Sequence, residues 1–301
     1  LSGRKVKLAS GFVYYANISS MRHAVSLLRQ FRAQPHDLLI LNSFWNVRLS
    51  LIPAIAFRLL WGGKLKVALL PRGELQPESL RYSKWKKQAA LPLLRRLYSH
   101  VLDYVAATSD LELESIPRVL SGVVTLRTVN VAEEIPFGVP SAPSETMRIV
   151  YLGRINDDKG LLEVLSGLLE VKQAVTLTIA GAVQDEKYYS DCEHVMGQMP
   201  HNVSVNYVGE VGRGDLPRLL HEQDVFLTLT SAENFGHAIA EALQAGCPVI
   251  APDTTPWTRT IRNGGGAIIL DRNNRAEVAA TIDQWASLTP NELLSRRGMA
   301  R

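Results

Sequence analysis

The residue types best suited to chemistry in this sequence are concentrated between positions 228 and 250. The hydrophobic pattern predicts that a strand ends near Thr230 and that a helix begins near Gly236. Backbone N–H groups at the start of a helix have no partner within the helix. Those of Phe235, Gly236 and His237 are therefore expected to bind a diphosphate, and glycine lets a phosphate approach the backbone closely.

Two glutamates accompany this expected helix start. Glu233 is predicted to lie in the loop before the helix, and Glu241 lies two turns further along. A carboxylate accepts hydrogen bonds from two sugar hydroxyls, so one glutamate is suited to hold a hexose and the other a ribose. The alternative is structural: Glu241 would be a solvated helix position, and Glu233 an acid that interacts with the helix dipole. The residues around these two glutamates favour the binding interpretation over the structural one.

A second group of charged residues follows the first expected strand of the second half of the chain. Gly153 is predicted to turn the chain, after which Arg154 and Lys159 lie on the loop that leads into the next helix. Two cations in one loop neutralise the charge of a diphosphate leaving group. The neighbouring Asp157 and Asp158 are interpreted as a helix N-cap, and no metal site is predicted from them.

The elements that must position these residues indicate an α/β protein. The chain has 301 residues, of which 46% are hydrophobic and 21% charged, which excludes a disordered or collagen-like chain and favours two domains. Short β-rich runs alternate with helical patterns, which is typical of βα units and parallel sheets. The strands are predicted at residues 38–41, 67–70, 104–108, 123–129, 148–152, 175–179, 203–207, 225–229, 248–251 and 267–270. The helices are predicted at 51–61, 161–170, 187–199, 215–222, 238–245 and 275–288.

The expected architecture is two doubly wound, Rossmann-like domains facing a cleft. An N-terminal domain is predicted at residues 1–135, a linker rich in proline, glycine and serine at 136–147, and a C-terminal domain at 148–301. Ligands of such sheets bind at the carboxyl ends of the strands, so this cleft is the expected binding site. The sequence starts without methionine or a clear first strand with its glycine loop, and it stops just after a helical pattern. These features favour a sequence truncated at both ends.

Positive charge is concentrated in the first half of the chain. Residues 1–147 contain 19 Lys and Arg against 10 Asp and Glu, whereas residues 148–301 contain 14 against 19. A basic half of this kind attracts phosphate-rich or anionic lipid surfaces, and a solvated basic face with no partner is the alternative. No RNA- or DNA-binding motif accompanies the basic residues, so a nucleic acid partner is not expected.

The most basic segment, residues 81–98, is predicted to be an amphipathic helix. An apolar stripe runs along it at i, i+4 spacing, at Trp85, Ala89, Leu93 and Leu97. Cations beside such a stripe suit a helix that lies at a membrane surface. The alternative is an ordinary amphipathic helix packed on the first sheet. Pro92 is expected to break or restart this helix.

The expected localisation is cytoplasmic, and peripheral on the inner face of the membrane if the basic segment binds lipid. The longest apolar stretch, residues 49–61, contains Arg58 and is shorter than the roughly 20 residues that a spanning helix needs. No secretory signal opens the sequence. Cys192 and Cys247 form neither a metal-ligand pattern nor a disulfide framework, which fits a reducing compartment.

Several motifs occur in an order that resembles the family 4 glycosyltransferases with the GT-B fold. They read G-R-I-N-D-D-K-G at 153–160, I-A-G-A at 179–182, V-G-E-V at 208–211 and E-N-F-G-H-A-I-A-E-A-L-Q-A-G-C-P-V-I at 233–250. The resemblance covers residues 148–270 in order and spacing. In addition, P-R-G at 71–73 and D-T-T-P-W at 253–257 are similar to a bacterial branch of the family.

The resemblance implies a role for each matching position. Arg154 and Lys159 would hold the diphosphate, Glu241 the ribose hydroxyls and Glu233 the hydroxyls of the transferred sugar. The remaining donor-binding positions would support the phosphates and sugar or line the nucleobase pocket; they are Gly153, Glu210, Val211, Asn234, Phe235, Gly236 and His237. Many relatives place a histidine near the donor sugar where this sequence has Leu70-Pro71-Arg72. Arg72 is therefore the predicted substitute.

The activity implied is that of a retaining glycosyltransferase that needs no metal and no other cofactor. It would move a sugar from a nucleoside-diphosphate sugar to a saccharide or a lipid-linked saccharide, in bacterial cell-surface polysaccharide synthesis. Two alternatives stay open. One is a catalytically silent subunit that binds a nucleotide sugar, favoured by the missing histidine, and the other is a nucleotide-sugar epimerase of the same fold.

Overall fold

The computed structural model describes residues 5–8, 11–14, 37–76, 84–128, 130, 134–136 and 144–300. Most of the predicted linker, residues 137–143, lies outside these ranges. The chain divides into two compact units. The first contains residues 1–75, 80–107 and 116–126, and the second contains 76–79, 108–115 and 127–301.

The first unit is built on a four-stranded sheet, ordered β3-β4-β5-β6. Its β3–β4 and β4–β5 pairs are parallel, as the alternation of strands and helices predicts. A short antiparallel hairpin, β1–β2, precedes it. The strands are β1 Lys5–Leu8, β2 Gly11–Tyr14, β3 Leu38–Asn42, β4 Lys66–Leu70, β5 Tyr104–Ala107 and β6 Val124–Arg127. Its helices are α1 Ile52–Trp61 and α2 Lys84–Val101, and a third helix, α3 Asp110–Val119, has its first part in the second unit and its last turn in the first.

The basic helix α2 continues through Pro92, so the predicted break is wrong. A proline inside a helix removes one backbone hydrogen bond, and here the other bonds of an 18-residue helix and its packing outweigh that loss. The helix packs through Leu94, Tyr98 and Val101, which are buried. The hydroxyl of Tyr98 donates a hydrogen bond of 3.0 Å to the carbonyl oxygen of Phe44, which anchors the helix to the core.

The apolar stripe predicted on this helix does not pack on the sheet. Trp85 and Leu93 are 73% and 63% exposed. The helix packs in the first unit through Leu94, Tyr98 and Val101 instead of through this stripe. Periodicity alone could not distinguish the two faces, because Leu94, Tyr98 and Val101 form a second apolar stripe at helical spacing.

The second unit is built on a six-stranded parallel sheet ordered β12-β11-β10-β7-β8-β9. Its strands are β7 Met147–Leu152, β8 Val175–Ala180, β9 Val203–Gly209, β10 Val225–Leu227, β11 Val249–Pro252 and β12 Ala267–Ile269. Its helices are α4 Leu161–Leu168, α5 Glu186–Met196, α6 Leu216–His221, α7 His237–Gln244, α8 Thr258–Asn263, α9 Arg275–Ala286 and α10 Pro290–Met299. Two separate groups of buried residues pack on this sheet.

These two sheets confirm the predicted fold class of two parallel α/β domains. In the second sheet the strand order reverses between β7 and β10, which are neighbours although 72 residues separate the end of one from the start of the other. Such a reversal is the point at which ligands of doubly wound sheets bind, outside the carboxyl ends of the strands. The loops after β7 and β10 contain most of the candidate residues.

Among the residues that the structure describes, three helices were not predicted from the sequence: α3, α8 and α10. The structure gives α10 a capping box, in which Thr289 and Glu292 bond to each other's backbone N–H, and a proline in its first turn. The sequence Thr289-Pro-Asn-Glu292 contains this start signal. Gly298 interrupts the helical pattern that follows it. Of the helices within the described ranges, each is too short or too polar to cross a lipid bilayer.

Candidate active site

The loops that follow β7 and β10 meet at the carboxyl edge of the second sheet. Parallel neighbouring strands end at the same edge, so the chain after each of them emerges side by side. The carbonyl oxygen of Asp158 accepts hydrogen bonds from the backbone N–H of Ser231 at 2.9 Å and from Oγ1 of Thr230 at 3.1 Å. These bonds hold the two loops together.

Lys159 and Glu233, two predicted catalytic residues, form an ion pair across these loops. Lys159 ends a 3-10 turn, Asp157–Lys159, and Glu233 lies in the loop before α7, as predicted. Their side chains are only 21% and 17% exposed. A charge pair that is largely withdrawn from water is screened less than a surface pair, so each side chain is held in a defined position.

Close backbone packing makes this arrangement depend on a glycine. Gly160 has φ 73°, and a Cβ atom added to it would lie 2.0 Å from the carbonyl oxygen of Leu229. Only glycine combines a left-handed conformation with such a close approach. Gly160 therefore brings the start of α4 against the end of β10 and sets Lys159 beside the loop that contains Glu233.

The interpretation of Asp157 and Asp158 as a helix N-cap is wrong. Both lie inside the 3-10 turn, and the residue that precedes α4 is Gly160. The left-handed glycine separates the turn from the helix, which places the aspartates too early to cap it. Within the described ranges, no group of three or more His, Cys, Asp and Glu residues is arranged to hold a metal ion.

Arg154 is exposed and held at the start of the same loop. Its Nη1 donates a hydrogen bond of 3.1 Å to Oε1 of Gln184, which also accepts one of 2.8 Å from Nδ2 of Asn156. The buried hydroxyl of Tyr151 donates to the carbonyl oxygen of Arg154 at 3.3 Å. Burial raises the pKa of Tyr151 well above its ordinary value, so this hydroxyl keeps its proton and acts as a donor. Arg154 is thus fixed at its backbone, with a side chain that water can reach.

The start of α7 has the geometry expected for binding an anion. Gly236 precedes the helix at φ 78°, and His237 is its first residue. Nε1 of Trp257 donates a hydrogen bond to the carbonyl oxygen of Phe235, and the Phe235 ring meets those of His237 and Trp257 edge-on at 4.7 and 5.5 Å. Trp257, which the sequence analysis singled out only as part of a motif, therefore fixes the turn that opens the helix.

The side chain of Asn234, a predicted donor-binding residue, forms hydrogen bonds with other residues of the protein. Its Oδ1 accepts hydrogen bonds from Ser109 at 3.0 Å and Gln76 at 3.1 Å, and its Nδ2 donates one of 2.7 Å to Thr108. Residues 76–79 and 108–115 belong to the same unit as Asn234. A bond from this amide to a ligand would replace one of these, so Asn234 is placed to position the loop between Glu233 and α7.

Behind this amide lies a buried carboxylate that is not among the predicted site residues. Glu112 is fully buried, and its Oε2 accepts hydrogen bonds from the backbone N–H of Thr108 at 2.8 Å and from its Oγ1 at 2.9 Å. Because the Thr108 hydroxyl donates its proton to Glu112, its oxygen is left to accept from Asn234. The order of donors fixes which end of the Asn234 amide faces Thr108.

The remaining candidate residues of the second unit lie along the same edge of the sheet. Glu241 is half-buried on α7, one turn beyond His237. Glu210 and Val211 follow β9, which is three strands away from β10 in the sheet. Neighbouring strands lie about 4.8 Å apart, so a ligand that contacts both the loop after β10 and the loop after β9 would span about 14 Å. Gly153 directly follows β7 and donates its N–H to the carbonyl oxygen of Ala180 at 3.0 Å.

Arg72 belongs to the first unit and follows β4. It has φ 56°, which is unusual for a residue with a side chain, and its Nε donates a hydrogen bond of 3.1 Å to Oδ1 of Asn42. Such backbone strain costs about 1–3 kcal/mol and is concentrated at functional sites. Its side chain is exposed.

Neither cysteine is a candidate nucleophile. Cys192 and Cys247 are free and buried. Burial raises the pKa of each thiol to about 12, so both stay protonated near neutral pH. The thiolate is the reactive form, so neither thiol is a nucleophile here. The groups that could take part in chemistry are therefore the Lys159–Glu233 ion pair, the cations and the start of α7.

The fold defines a class of protein, the two-domain α/β proteins built on doubly wound parallel sheets. The chain belongs to the glycosyl transferases group 1 family, whose sequence profile matches residues 134–298. The matched range contains every candidate residue except Arg72.

Two curated relatives share part of the sequence. A phosphatidyl-myo-inositol mannosyltransferase of Mycobacterium leprae is 29% identical over 56% of this chain and 47% of its own. A GDP-mannose:cellobiosyl-diphosphopolyprenol alpha-mannosyltransferase of Xanthomonas oryzae is 25% identical over 72% of this chain and 57% of its own. The chain therefore spans about half the length of these relatives.

Among solved structures, the chain is similar to Anabaena HepE in complex with UDP and glucose. The TM-score is 0.72 at 17% identity, and the match covers 93% of this chain and 75% of HepE. At this identity the likeness establishes the fold, which is that of the GT-B glycosyltransferases, as the resemblance in the sequence implies.

Proposed function

We propose that the protein is a retaining, metal-independent glycosyltransferase that uses a nucleoside-diphosphate sugar. The observation that carries the proposal is the Lys159–Glu233 pair, set in two joined loops beside the start of α7. One edge of the sheet thus offers a cation for a diphosphate, a carboxylate for sugar hydroxyls and N–H groups for an anion. Family membership supports the same reading.

The reaction breaks the bond between the anomeric carbon and the diphosphate oxygen and forms one from that carbon to an acceptor oxygen. The diphosphate leaves with the bonding electrons, and the acceptor hydroxyl loses its proton to it. Arg154 and Lys159 stabilise the charge that develops on the leaving group, which in other enzymes is the task of a metal ion. Backbone N–H groups at Phe235, Gly236 and His237 would support the same phosphates and the sugar.

Glu233 and Glu241 divide the donor between them in this proposal. Glu233 accepts hydrogen bonds from the hydroxyls of the transferred sugar, and Glu241 accepts those of the ribose. Glu210 and Val211, at the far end of the same edge, would line the pocket of the base. The UDP bound to HepE supports a nucleoside diphosphate as the ligand class.

A lipid-linked saccharide is the proposed acceptor class, in bacterial cell-surface polysaccharide synthesis. The names of both curated relatives contain a lipid acceptor, phosphatidyl-myo-inositol in one and a diphosphopolyprenol in the other. Arg72, strained and exposed in the first unit, is proposed to take part in catalysis where many relatives have a histidine.

Nucleotide binding tests the division of roles between the two glutamates. We expect one of UDP, GDP, ADP, dTDP and CMP to raise the unfolding temperature by several degrees, since a ligand at 100 times its Kd adds about 2.7 kcal/mol. Glu241→Ala should weaken this free nucleotide about tenfold or more, because hydrogen bonds to a carboxylate contribute about 1.5–3 kcal/mol each. Glu233→Ala should leave free nucleotide binding unchanged and reduce sugar transfer.

The control for these variants is Glu193→Ala, an exposed glutamate on α5 that should change neither readout. Equal loss of nucleotide binding in Glu233→Ala and Glu241→Ala would contradict the division of roles. Binding of a nucleotide sugar without transfer to any acceptor would favour the silent binding subunit. Interconversion of the sugar while it stays on the nucleotide would favour the epimerase.

The exposed stripe of α2 is proposed to rest on an anionic membrane surface. Trp85 and Leu93 protrude from a helix that contains five Lys and Arg and no acidic residue. Apolar side chains flanked by cations bind the interface of anionic lipid through both burial and charge. This would place the enzyme at the inner face of the membrane.

Cosedimentation with anionic vesicles measures this contact. We expect the combined substitution Trp85→Ser and Leu93→Ser to lower the partition coefficient by about tenfold or more, because two large apolar side chains leave the lipid. The matched control is Leu59→Ser on α1, whose side chain is 81% exposed. Unchanged sedimentation of the double variant, or an equal loss in the control, would refute a membrane role for this face.

A further inference from the structure

A pocket opens in the first unit between α2 and the last turn of α3, and the proposed reaction does not use it. Its volume is about 350 Å³. Arg95, Arg96 and Ser99 line it from α2, and Arg118 lines it from the last turn of α3. Ser121 follows α3 and completes the polar lining, while the rest is apolar.

Three arginines share this small pocket without a carboxylate. Its lining contains no acidic residue. Among the described residues, no Asp or Glu forms an ion pair with any of the three. Like charges placed together repel each other, and α2 contains no acid along its length to offset this. The electrostatic potential in the pocket is therefore strongly positive, and a bound anion would neutralise it.

Part of this arrangement is fixed before any ligand arrives. Nη2 of Arg95 donates a hydrogen bond of 2.6 Å to Oγ of Ser121, which ties a helix side chain to the turn after the next helix. A guanidinium held in this way loses less conformational entropy on binding than a free one. The Ser99 hydroxyl bonds to the carbonyl oxygen of Arg96 at 2.9 Å, on the same wall.

We infer that this pocket binds a phosphate group, carried either by a soluble molecule or by a lipid. Guanidinium groups match the geometry of phosphate oxygens in paired, charge-assisted hydrogen bonds, and the Ser121 hydroxyl, whose oxygen accepts from Arg95, keeps its own proton to donate. The volume lies at the small end of ligand pockets, which suits a phosphomonoester with a short attached group better than a nucleotide sugar. Arg95 and Arg96 are also among the five cations of α2, whereas Arg118 lies on α3 and belongs to this pocket alone.

The test measures binding of two phosphomonoesters, free glycerol 3-phosphate and phosphatidic acid in phosphatidylcholine vesicles. Vesicles with oleate in place of phosphatidic acid, at the same surface charge, contain no phosphomonoester. We expect Arg118→Gln and Arg95→Gln each to weaken phosphomonoester binding about tenfold, as the loss of one charge-assisted contact does. The affinity of Arg118→Lys for phosphomonoester should lie between those of the unmodified protein and Arg118→Gln, because lysine keeps the charge and loses the paired geometry.

Two controls separate this pocket from other cations. Arg48→Gln removes an exposed arginine of the same unit, and Lys187→Gln removes an exposed lysine of the second unit, on α5. Both should bind phosphomonoester as the unmodified protein does. Dependence on Arg118 with glycerol 3-phosphate supports a soluble ligand, and the same dependence with phosphatidic acid vesicles alone supports a lipid.

Three results would overturn the proposal. The first is no binding of either phosphomonoester by the unmodified protein. The second is an equal loss in Arg48→Gln, which would make the effect one of net charge. The third is equal dependence on Arg118 with oleate vesicles, which would remove the preference for phosphate. Unfolding temperatures of all variants show that each is folded, and these exposed positions are expected to change them little.

Discussion

Lys159→Gln should lower sugar transfer by roughly 10²–10³-fold, the effect of removing one group that stabilises charge in a transition state. The largest change is expected in kcat, since the leaving diphosphate gains charge as its bond to the sugar breaks. The amide of glutamine keeps a hydrogen-bond donor near Glu233 and loses the positive charge. Steady-state kinetics with the nucleotide sugar identified by the binding screen measure the effect.

The double variant Lys159→Gln and Glu233→Gln separates a catalytic role from a structural one. The two side chains pair with each other in this structure, so removing both avoids leaving one charge unpartnered. If the pair only stabilised the fold, the double variant would recover most of the activity lost in Lys159→Gln. We expect no recovery, because the cation and the carboxylate act on different parts of the donor.

Lys187→Gln on α5 is the matched control, an exposed lysine in the same unit. It should retain full activity. A decrease in kcat of less than about tenfold in Lys159→Gln, with an unchanged unfolding temperature, would contradict the assignment of Lys159 as a catalytic residue.

The sequence predicted the second sheet well because its strands are short, β-rich and separated by helical patterns. Each of the six strands of the second unit was foreseen with bounds shifted by at most two residues. The loops after β7 and β10 then follow from the order of strands, and so does the approach of Arg154, Lys159 and Glu233 to one edge. Periodicity and topology are sufficient for this level of detail.

The direct contacts of the site could not be predicted in the same way. That Lys159 pairs with Glu233, and that Asn234 bonds to Thr108, depends on side-chain geometry between residues far apart in sequence. The left-handed turn at Gly160 also displaced Asp157 and Asp158 from the expected cap. A local pattern reports which residues share a loop, whereas rotamers and backbone turns decide which atoms touch.

Gly181→Ala should destabilise the second unit by about 3–5 kcal/mol, the largest stability effect expected of a single methyl group here. A Cβ atom at Gly181 would lie 1.8 Å from the carbonyl oxygen of Gly153, and φ at this residue is 149°. Relief requires the ends of β7 and β8 to separate. Thermal unfolding should show a fall of roughly 10 °C, at 2–4 °C per kcal/mol for a domain of this size.

Two hydrogen bonds tie Gly181 to β9 and so limit how far it can move away from Gly153. Its N–H donates to the carbonyl oxygen of Gly209 at 2.8 Å, and its own carbonyl oxygen accepts from the hydroxyl of Tyr207 at 2.9 Å. The matched control is Gly197→Ala at the end of α5, where the nearest atom to an added Cβ is 3.5 Å away. This variant should unfold within about 2 °C of the unmodified protein. If both variants unfold at the same temperature, the close approach of Gly153 and Gly181 does not hold the edge of the sheet together.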